Sequence, residues 1–466
     1  MRNSVLAAIA LALAMFVPAA AEATQAPVPV QHVPVLFQHV NVVPMDRDRI
    51  LEDRSVLVAN GRIAAIGAVI AAPAGAEIID GRGRYLMPGL ADMHVHSGTA
   101  LEMQVLLANG VTTVLNMGGA SSDFVDQVVP PINAGRRPGP HIYLALRVDG
   151  TPEYGQLVAA TPAQARAVVG LARTNGYDFI KVYNNLAPEV FGAFVDEGRR
   201  EGIPVVGHGV TRVGIERQLA AGQVMVAHLE EYLYTVFFPP NADVGTRAPD
   251  DSRIAAAVAF TRRSGAFVTA DLGTYATIAS QWGRPDVTAG YRRDPDFAYL
   301  DPDMRVAWRR SGYETRQGDL GPRLRFLGRF AKALADAGVP LIAGTDTPTI
   351  PGDYPGASLR ADLYALHDAG FTTFQALSTA TRTPGEFIAR AKPGATCFGV
   401  VAVGCRADLL LLSGNPLADP HALEQREGVM IGGAWRGGDA LDALLADVAQ
   451  TYRGALEGGP ATHERH

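Results

Sequence analysis

The sequence is poor in cysteine and lysine and carries no strong excess of one charge. It has two cysteines among 466 residues, so the only internal disulfide to consider joins these two. The formal net charge is −6 and no basic stripe occurs, which argues against a nucleic-acid partner. Beyond the N-terminal segment no apolar run is long enough for a membrane helix, so no stable membrane span is expected. With 48% hydrophobic and 19% charged residues, a disordered or fibrous chain is excluded as well.

The two cysteines, Cys397 and Cys405, are eight residues apart. In an oxidising compartment they form a local disulfide if they face each other across a hairpin. The alternative is that both are small buried residues. The sequence does not supply the geometry that separates these readings.

Residues 1–23 have the features of a signal peptide. Arg2 gives a positive start, residues 6–17 are apolar and uncharged, and residues 21–23 offer the small-x-small pattern of a cleavage site. The apolar run is too short to span a bilayer comfortably, so cleavage is favoured over anchoring. We therefore expect an exported protein, periplasmic or secreted.

The remaining chain is organised as two interleaved domains. Residues 33–88 and 396–440 read as short strands joined by turns, with Asn60-Gly61 as a strong hairpin signal. They predict a small β-sandwich domain built from both chain ends. Between them, residues 89–395 alternate short apolar runs with helical stretches, which predicts an α/β fold with a (β/α)8 TIM-like barrel. The eight predicted barrel strands are residues 90–96, 111–117, 141–146, 178–183, 204–209, 223–230, 266–272 and 340–346.

Residues 273–322 are unusually long for the connection that follows the seventh barrel strand. The segment is rich in Arg, Asp, Tyr and Trp. Long loops in compact enzymes are often lids. A lid and a solvated surface insertion are the two readings.

Four of the eleven histidines fall at or near the carboxyl ends of predicted barrel strands: His94, His96, His208 and His228. Side chains alternate along a strand, so the His-x-His spacing places two imidazoles on one face, where both reach one metal ion. A lone histidine in an apolar run is more often a core residue, but four at one barrel rim favour metal ligation.

Two aspartates complete the predicted rim. Asp346 ends the eighth strand in GTDTP, where a carboxylate binds a cation and accepts a proton from water. Its alternative is a helix N-cap. Asp92, two residues before His94, points inward but deeper, as a support for the ligands or a structural residue.

Lys181 is the most diagnostic position. Only three of the 41 basic residues are lysines, and this one lies inside an apolar run near the end of the fourth strand, where a bare ammonium is costly. If CO2 adds to its amine, the carbamate is an anion that can bridge two metal ions. The alternative is a lysine that extends to the barrel rim or pairs with an acid.

These motifs together resemble the amidohydrolase superfamily. They are HVH after PGLAD, the lysine in DFIKVY, VGHG, VAHLEE, GTD and the closing RADLLLLSGNPL. Within it the chain resembles the imidazolonepropionase-like amidohydrolase and exported Xaa-dipeptidase (prolidase-like) branch, from about residue 33 to residue 435. The resemblance implies that one metal is held by His94, His96, Lys181 and Asp346. It also implies that His208 and His228 hold a second metal and share the carbamate on Lys181.

The function expected from this site is hydrolysis of a C–N amide bond in a small amide, N-acyl compound or short peptide. Two divalent ions, with Zn2+ favoured, lower the pKa of a bridging water, and the resulting hydroxide attacks the carbonyl. Asp346 is the general base and acid.

Four further residues are weaker candidates for substrate binding: Arg147, Tyr183, Tyr232 and Tyr234. They lie at or just beyond predicted strand ends and orient the substrate or bind its carboxylate, or else they are loop packing. The aromatic run YLYTVFF at 232–238 indicates an apolar pocket, a buried helix start or a contact in a homo-oligomer.

Three other functions remain. A mononuclear metal-dependent deaminase of a heterocycle uses nearly the same ligands, but it places an acid near the fifth-strand histidine, and His208-Gly209-Val210 offers none. A phosphotriesterase or lactonase uses the same hydroxide. A non-catalytic exported binding protein is disfavoured because all six ligands are present. The family's glycine-rich loop after the lysine is Tyr183-Asn184-Asn185 here, and Glu230-Glu231-Tyr232 follows His228, so substrate identity does not transfer.

Overall fold

The computed structural model describes residues 33–457, and the predicted signal peptide at 1–23 lies outside the described residues. In chain order the strands are β1 (Val35–Val42), β2 (Leu51–Ala59), β3 (Arg62–Gly67), β4 (Glu77–Asp80), β5 (Tyr85–Pro88), β6 (Leu90–Val95), β7 (Val111–Asn116), β8 (His141–Asp149), β9 (Leu157–Val158), β10 (Phe179–Val182), β11 (Val205–Gly207), β12 (Met225–Val226), β13 (Phe267–Thr269), β14 (Leu341–Ile342), β15 (Leu409–Leu412), β16 (Arg426–Ile431) and β17 (Ala434–Gly437).

The helices alternate with the central strands. They are α1 (Ala100–Ala108), α2 (Val129–Asn133), α3 (Pro162–Thr174), α4 (Pro188–Glu201), α5 (Ile215–Ala221), α6 (Ile254–Ser264), α7 (Leu272–Gln281), α8 (Pro285–Tyr291), α9 (Pro302–Trp308), α10 (Gly321–Asp336), α11 (Ala357–Asp368), α12 (Thr373–Thr379), α13 (Arg382–Ala391) and α14 (Gly438–Glu457). Within residues 33–457, no helix combines the length and the hydrophobicity needed to cross a bilayer.

The central sheet is a parallel barrel. Its strand order is β6-β7-β8-β10-β11-β12-β13-β14, with β9 paired to β8. A parallel bridge between Val95 and Thr347 joins the first strand to the segment after the last. At the same seam the amide of Asp346 donates to the carbonyl of His94 at 2.8 Å. The predicted α/β class with a TIM-like barrel is therefore confirmed.

The barrel strands are short apolar runs, as strands buried on both faces require. Every residue of β6, β7 and β10 is buried. Phe387 from α13 stacks on Phe179 at 5.4 Å and contacts Phe267 edge-on at 5.1 Å between ring centroids. This apolar packing supports the strands whose carboxyl ends carry the polar side chains.

A second sheet contains strands from both chain ends. Its order is β17-β16-β15-β5-β1-β2-β3, with β4 paired to β1. The hairpin between β2 and β3 turns at Asn60 and Gly61, both with positive φ (51° and 72°), which suits the right-handed twist of the strands. A separate β domain from both chain ends is thus present. Its limits at residues 88 and 396 stay a prediction.

The two cysteines are joined in a disulfide, with 4.8 Å between their Cα atoms. The segment that carries them lies along β3: the Ile63 amide donates to the Cys405 carbonyl at 3.0 Å. The bridge thus fixes the chain where it passes from the barrel into the second sheet.

Candidate metal centre

Four of the six predicted metal ligands lie in direct contact. Lys181 Nζ is 2.9 Å from His94 Nε2 and 3.5 Å from His96 Nε2. Asp346 Oδ1 is 3.2 Å from His94 Nε2 and 3.1 Å from His96 Nε2. Strands β6 and β10 and the segment after β14 therefore bring together the set predicted to hold one ion.

The other two predicted ligands adjoin this group. The His228 ring lies 4.3 Å from the His94 ring and 4.9 Å from the His208 ring, between centroids. One ligand atom from each of His94, His228 and Asp346 falls within 4.8 Å of the others. The structure thus places all six side chains in one cluster at the carboxyl ends of the barrel strands.

Backbone carbonyls hold the two histidines of the first strand. His94 Nδ1 lies 3.1 Å from the carbonyl oxygen of Ala227, and His96 Nδ1 lies 2.7 Å from that of Gly118. An Nδ1 that donates to a carbonyl leaves Nε2 as the lone-pair nitrogen, which is the form that binds a metal.

Carboxylates hold the other two histidines. His208 Nδ1 is 2.5 Å from Glu231 Oε1, and His228 Nδ1 bonds Asp271 Oδ2. Within the described residues His208 Nε2 is buried and has no hydrogen-bond partner. A buried polar atom without a partner is costly, so this nitrogen is suited to a ligand that the chain does not supply.

Glu231 and Asp271 were not among the residues predicted from the sequence. Glu231 also accepts the Gly209 amide at 3.0 Å, and Asp271 accepts the Leu229 amide at 3.3 Å. The available signal was that both acids lie at predicted strand ends: Glu231 directly follows the sixth strand, and Asp271 is the last residue but one of the seventh. The expectation that no acid lies near His208, which argued against a deaminase, is wrong. Glu231 reaches His208 from the end of the neighbouring strand.

Two of the acids are held in a rare backbone conformation. The φ angles of Asp271 and Asp346 are +34° and +56°. Residues other than glycine seldom adopt these values, and such strain clusters at functional sites. The surrounding contacts must offset the energetic cost of these two backbone conformations.

The charges of the cluster depend on burial. Burial lowers the pKa of Lys181 to about 7, although Asp346 nearby opposes the shift. Within residues 33–457 Lys181 forms no ion pair with a carboxylate. Burial raises the pKa of Asp346, but hydrogen bonds to His94 and His96 outweigh it and hold the pKa well below the usual range.

Asp92 supports the cluster from below. Its carboxylate accepts the Thr345 hydroxyl at 2.7 Å and the His94 amide at 3.3 Å. Burial raises its pKa to about 7. Asp92 therefore ties the first strand to the segment after the eighth.

Two of the four substrate candidates border the cluster. The Tyr183 ring stacks on the His208 ring at 3.9 Å between centroids, and the Arg147 guanidinium carbon lies 6.0 Å from the Tyr183 ring centre. Arg147 Nε is buried without a partner among the described residues. Tyr234 is partly buried in the short π-helical segment Leu233–Phe237. The charge of Glu230 is the main cause that raises the pKa of Tyr234 well above its ordinary value.

Tyr232 does not border the cluster, so its assignment to substrate binding needs correction. The side chain is fully buried; its hydroxyl bonds Thr261 at 2.8 Å and its ring packs on Phe260 and Phe330. The helical turn after His228 directs this residue into the layer between the barrel and its helices. Most of the YLYTVFF run is core in the same way: Phe237 packs on Phe326 and Phe330.

The segment predicted as a lid or insertion, residues 273–322, is hydrogen-bonded to the loop that follows Asp346. The Trp308 indole N–H donates to the Pro348 carbonyl at 2.7 Å, and the Tyr354 hydroxyl donates to the Tyr291 carbonyl at 2.5 Å. A lid function stays a prediction.

No family model matches the chain. In sequence it is 28% identical to a dihydroorotase of Geobacter sulfurreducens over 177 residues. The match covers 38% of this chain and 38% of that protein, so it spans well under two thirds of the relative.

Solved structures match over nearly the whole chain. Bottromycin amidohydrolase superimposes with a TM-score of 0.70 at 24% identity, covering 90% of each chain. A Xaa-Pro dipeptidase superimposes with a TM-score of 0.63 at 20% identity, covering 87% of this chain and 100% of the other. Identities this low show the fold alone. Together, the fold and the matched sequence segment confirm that the chain resembles the amidohydrolase superfamily.

Proposed function

We propose that this protein is a metal-dependent amidohydrolase that cleaves a C–N amide bond in an N-acyl compound or a short peptide. The observation that carries the proposal is the common orientation of the four histidines. Each is held at Nδ1, by a carbonyl or a carboxylate, and Lys181 and Asp346 lie beside the Nε2 atoms of His94 and His96. Such second contacts are typical of metal-ligating histidines.

The residues fit two ions. We assign His94, His96, Lys181 and Asp346 to one and His208 and His228 to the other. When bound, two divalent ions, with Zn2+ favoured by this nitrogen-rich set, supply an activated water and polarise the substrate carbonyl.

Lys181 is suited to carboxylation because it is buried and forms no ion pair with an acid among the described residues, 33–457. Its neutral amine attacks CO2, an N–C bond forms, and one proton is released. The product is a carbamate anion, which we propose is shared by both ion sites. A buried anion between two cations removes the cost of burying a bare ammonium.

Asp346 is the proposed proton carrier. Its carboxylate accepts a proton from the attacking water and returns it to the leaving amine, which must be protonated to depart. Arg147 is proposed to bind a carboxylate of the substrate through its guanidinium, whose Nε has no hydrogen-bond partner among residues 33–457. Tyr183, stacked on His208, is proposed to fix the position of that ring and to border the substrate.

A mononuclear deaminase of a heterocycle is the second candidate. The contact of Glu231 with His208 favours it, because an acid does lie beside the fifth-strand histidine. That carboxylate is occupied by the imidazole and by two donors, the Gly209 amide and Asn184, so we place it in support of His208. On the pattern of residues 1–23 we also propose export.

The test is a hydrolysis screen with N-acyl amino acids and dipeptides, with and without a chelator. We expect amide cleavage that the chelator abolishes and Zn2+ restores. The variant Asp346→Asn should lose cleavage by roughly 100- to 10,000-fold while it remains folded. Ammonia release from a heterocycle with one metal per chain would select the deaminase. Cleavage that survives complete metal removal would contradict both candidates.

A further inference from the structure

Two successive ring stacks lead away from the proposed metal centre. The Tyr183 ring stacks on the His208 imidazole, with 3.9 Å between the centroids and 21° between the planes. The Tyr154 ring in turn stacks on Tyr183, at 5.3 Å and 18°. Tyr154 lies in the loop at 150–156, directly after β8, and is 43% exposed. The stack therefore ends in an aromatic surface that is open to solvent, and neither the ion sites nor the proton transfer uses it.

The loop after β8 is held in place by Asn185. The Asn185 amide donates to Asp149 Oδ1 at 2.8 Å, and its side-chain Nδ2 donates to Asp149 Oδ2 at 2.9 Å. The same Nδ2 lies 3.1 Å from Thr151 Oγ1 and 3.2 Å from Glu153 Oε2. Asn185 belongs to the sequence Tyr183-Asn184-Asn185, which stands where the family resemblance implies a glycine-rich loop. This departure from the family pattern thus supplies the side chain that anchors the loop.

The other end of the loop is bonded to the residues that follow β7. Gln156 Nε2 donates to the Ala120 carbonyl at 2.9 Å, and Gln156 Oε1 accepts the Gly119 amide at 3.3 Å. The preceding residue, Gly118, packs against Arg147: a Cβ added to Gly118 would lie 2.5 Å from the Arg147 Cβ. The loop therefore joins the carboxyl ends of β7 and β10, the two neighbours of β8, which carries Arg147.

Arg147 and Tyr154 both adjoin the Tyr183 ring. The Arg147 guanidinium carbon lies 6.0 Å from the Tyr183 ring centre, and its Nε has no partner among residues 33–457. A carboxylate bound there is therefore close to the stacked tyrosines. In an N-acyl amino acid or a dipeptide, this carboxylate and the last side chain share one carbon atom, so that side chain lies within reach of the rings. Aromatic rings attract one another in offset-stacked or edge-to-face arrangements, beyond the effect of apolar burial.

We propose that Tyr154 is a specificity-determining residue that binds an aromatic side chain on the amine side of the scissile bond. The preferred substrates are then N-acyl derivatives of aromatic amino acids and dipeptides that end in one. This inference rests on the proposed function, since the contact of Arg147 with the substrate carboxylate sets which side of the amide lies against the rings. Asn185 is a positioning residue, because it acts on the substrate only through the loop that carries Tyr154.

The aromatic subsite is first tested by binding, without catalysis. The probes are 3-phenylpropanoate and its saturated analogue 3-cyclohexylpropanoate, each titrated calorimetrically into the purified protein. Both carry a carboxylate and a six-membered ring, and the saturated ring is the more apolar, so apolar burial alone does not favour 3-phenylpropanoate. We expect 3-phenylpropanoate to bind at least about threefold more tightly.

Four variants assign this preference to the proposed residues. The preference should disappear in Tyr154→Leu and persist in Tyr154→Phe, because the ring and not the hydroxyl is used. It should also persist in the control Tyr85→Leu, which changes a half-buried tyrosine of β5 in the second sheet. Asn185→Ala should reduce the preference, because the loop loses its anchor. Thermal unfolding confirms that each variant is folded.

Four results would overturn the subsite. They are equal or reversed affinity for the two probes, no binding of either probe at millimolar concentration, a preference that survives Tyr154→Leu, and a preference lost in Tyr154→Phe. A preference that is unchanged in Asn185→Ala would contradict the positioning role of Asn185.

Matched amides then locate the aromatic group relative to the scissile bond. N-acetylphenylalanine against N-acetylcyclohexylalanine tests the amine side, and N-phenylacetylalanine against N-cyclohexylacetylalanine tests the acyl side. The amine-side pair should show a kcat/KM ratio of at least about threefold, carried by KM, that falls towards one in Tyr154→Leu. A preference in the acyl-side pair alone would overturn the placement. Selective, Tyr154-dependent probe binding without any hydrolysis would keep the subsite and reject the proposed function. Hydrolysis with equal kcat/KM within both pairs would do the reverse.

Discussion

Glu231 Oε1 lies 2.5 Å from Nδ1 of His208, although the two residues follow different barrel strands. The contact fixes the imidazole so that its buried Nε2 is the nitrogen left for a ligand. We therefore expect Glu231 to act on the proposed metal centre through His208, and its effect should be seen in the affinity for metal.

Glu231→Gln should lower the affinity for Zn2+ by about 10- to 100-fold, because the amide keeps the shape but loses the charge that strengthens His208 as a ligand. Competition with a chromophoric chelator measures the affinity. Glu189→Gln on the exposed face of α4 is the matched control. An unchanged Zn2+ affinity in Glu231→Gln would contradict the proposal that Glu231 strengthens His208 as a ligand.

Lys181→Ala should reduce the metal content from two equivalents per chain to one or none. The side chain contacts both His94 and His96, and the proposed carbamate is shared by both ions. Metal analysis of the purified protein, with an intact-mass search for added CO2, measures both effects. Lys332→Ala, which changes a lysine paired with Asp336 on α10, is the control. One equivalent in wild type and variant alike would reject the shared carbamate.

Tyr183 and Tyr232 should respond differently to substitution. Tyr183→Leu removes the ring stacked on His208 and should raise KM several-fold. Tyr232→Phe breaks a buried hydrogen bond to Thr261 and should lower the free energy of unfolding by about 1–3 kcal/mol without changing KM. Steady-state kinetics and urea denaturation separate the two. A change in KM for Tyr232→Phe would contradict its placement in the core.

His141, at the start of β8, should make the fold sensitive to acid. Burial lowers its pKa to about 3, whereas an unfolded histidine titrates near its ordinary value of about 6.5. Between these values the unfolded chain binds the proton that the folded chain does not, so stability falls as the pH drops through that window, by up to about 1.4 kcal/mol per pH unit.

His141→Asn should therefore lose less stability than wild type between pH 7.5 and pH 4.5 in urea denaturation. The exposed His367 on α11 supplies the control, since His367→Asn should follow wild type. If the free energy of unfolding falls with pH equally in His141→Asn and wild type, His141 is not the source of the acid sensitivity.

The bridge between Cys397 and Cys405 should contribute about 2.5 kcal/mol, the value expected for closing a loop of this length. The double variant Cys397→Ser/Cys405→Ser should be less stable by about that amount under oxidising conditions. A reductant should lower the free energy of unfolding of wild type to that of the double variant. No difference between them without reductant would show that the bridge adds no stability.

The sequence predicted the barrel and the cluster well because both depend on local patterns. The eight apolar runs ended where polar residues appeared, and the His-x-His spacing placed His94 and His96 together. The roles of Glu231 and Asp271 were not predicted because each contacts a histidine at the end of a neighbouring strand, and the spacing of residues in the sequence does not show such a contact. Tyr232 was misplaced because the helical turn just before the π-helical segment Leu233–Phe237 sets its direction. A continuous aromatic run has no period that shows which face is buried. The disulfide needed backbone geometry that spacing does not give.

The seam that closes the barrel is formed by residues of the proposed metal centre. The His94 carbonyl accepts the Asp346 amide, and both side chains belong to the six-membered cluster. A chain made from its N-terminus therefore has an incomplete set of donors until its last barrel strand has emerged. A polypeptide that ends before residue 346 has only part of the proposed ligand set. If the cluster binds metal as proposed, the chain becomes able to bind it only when the barrel is completed.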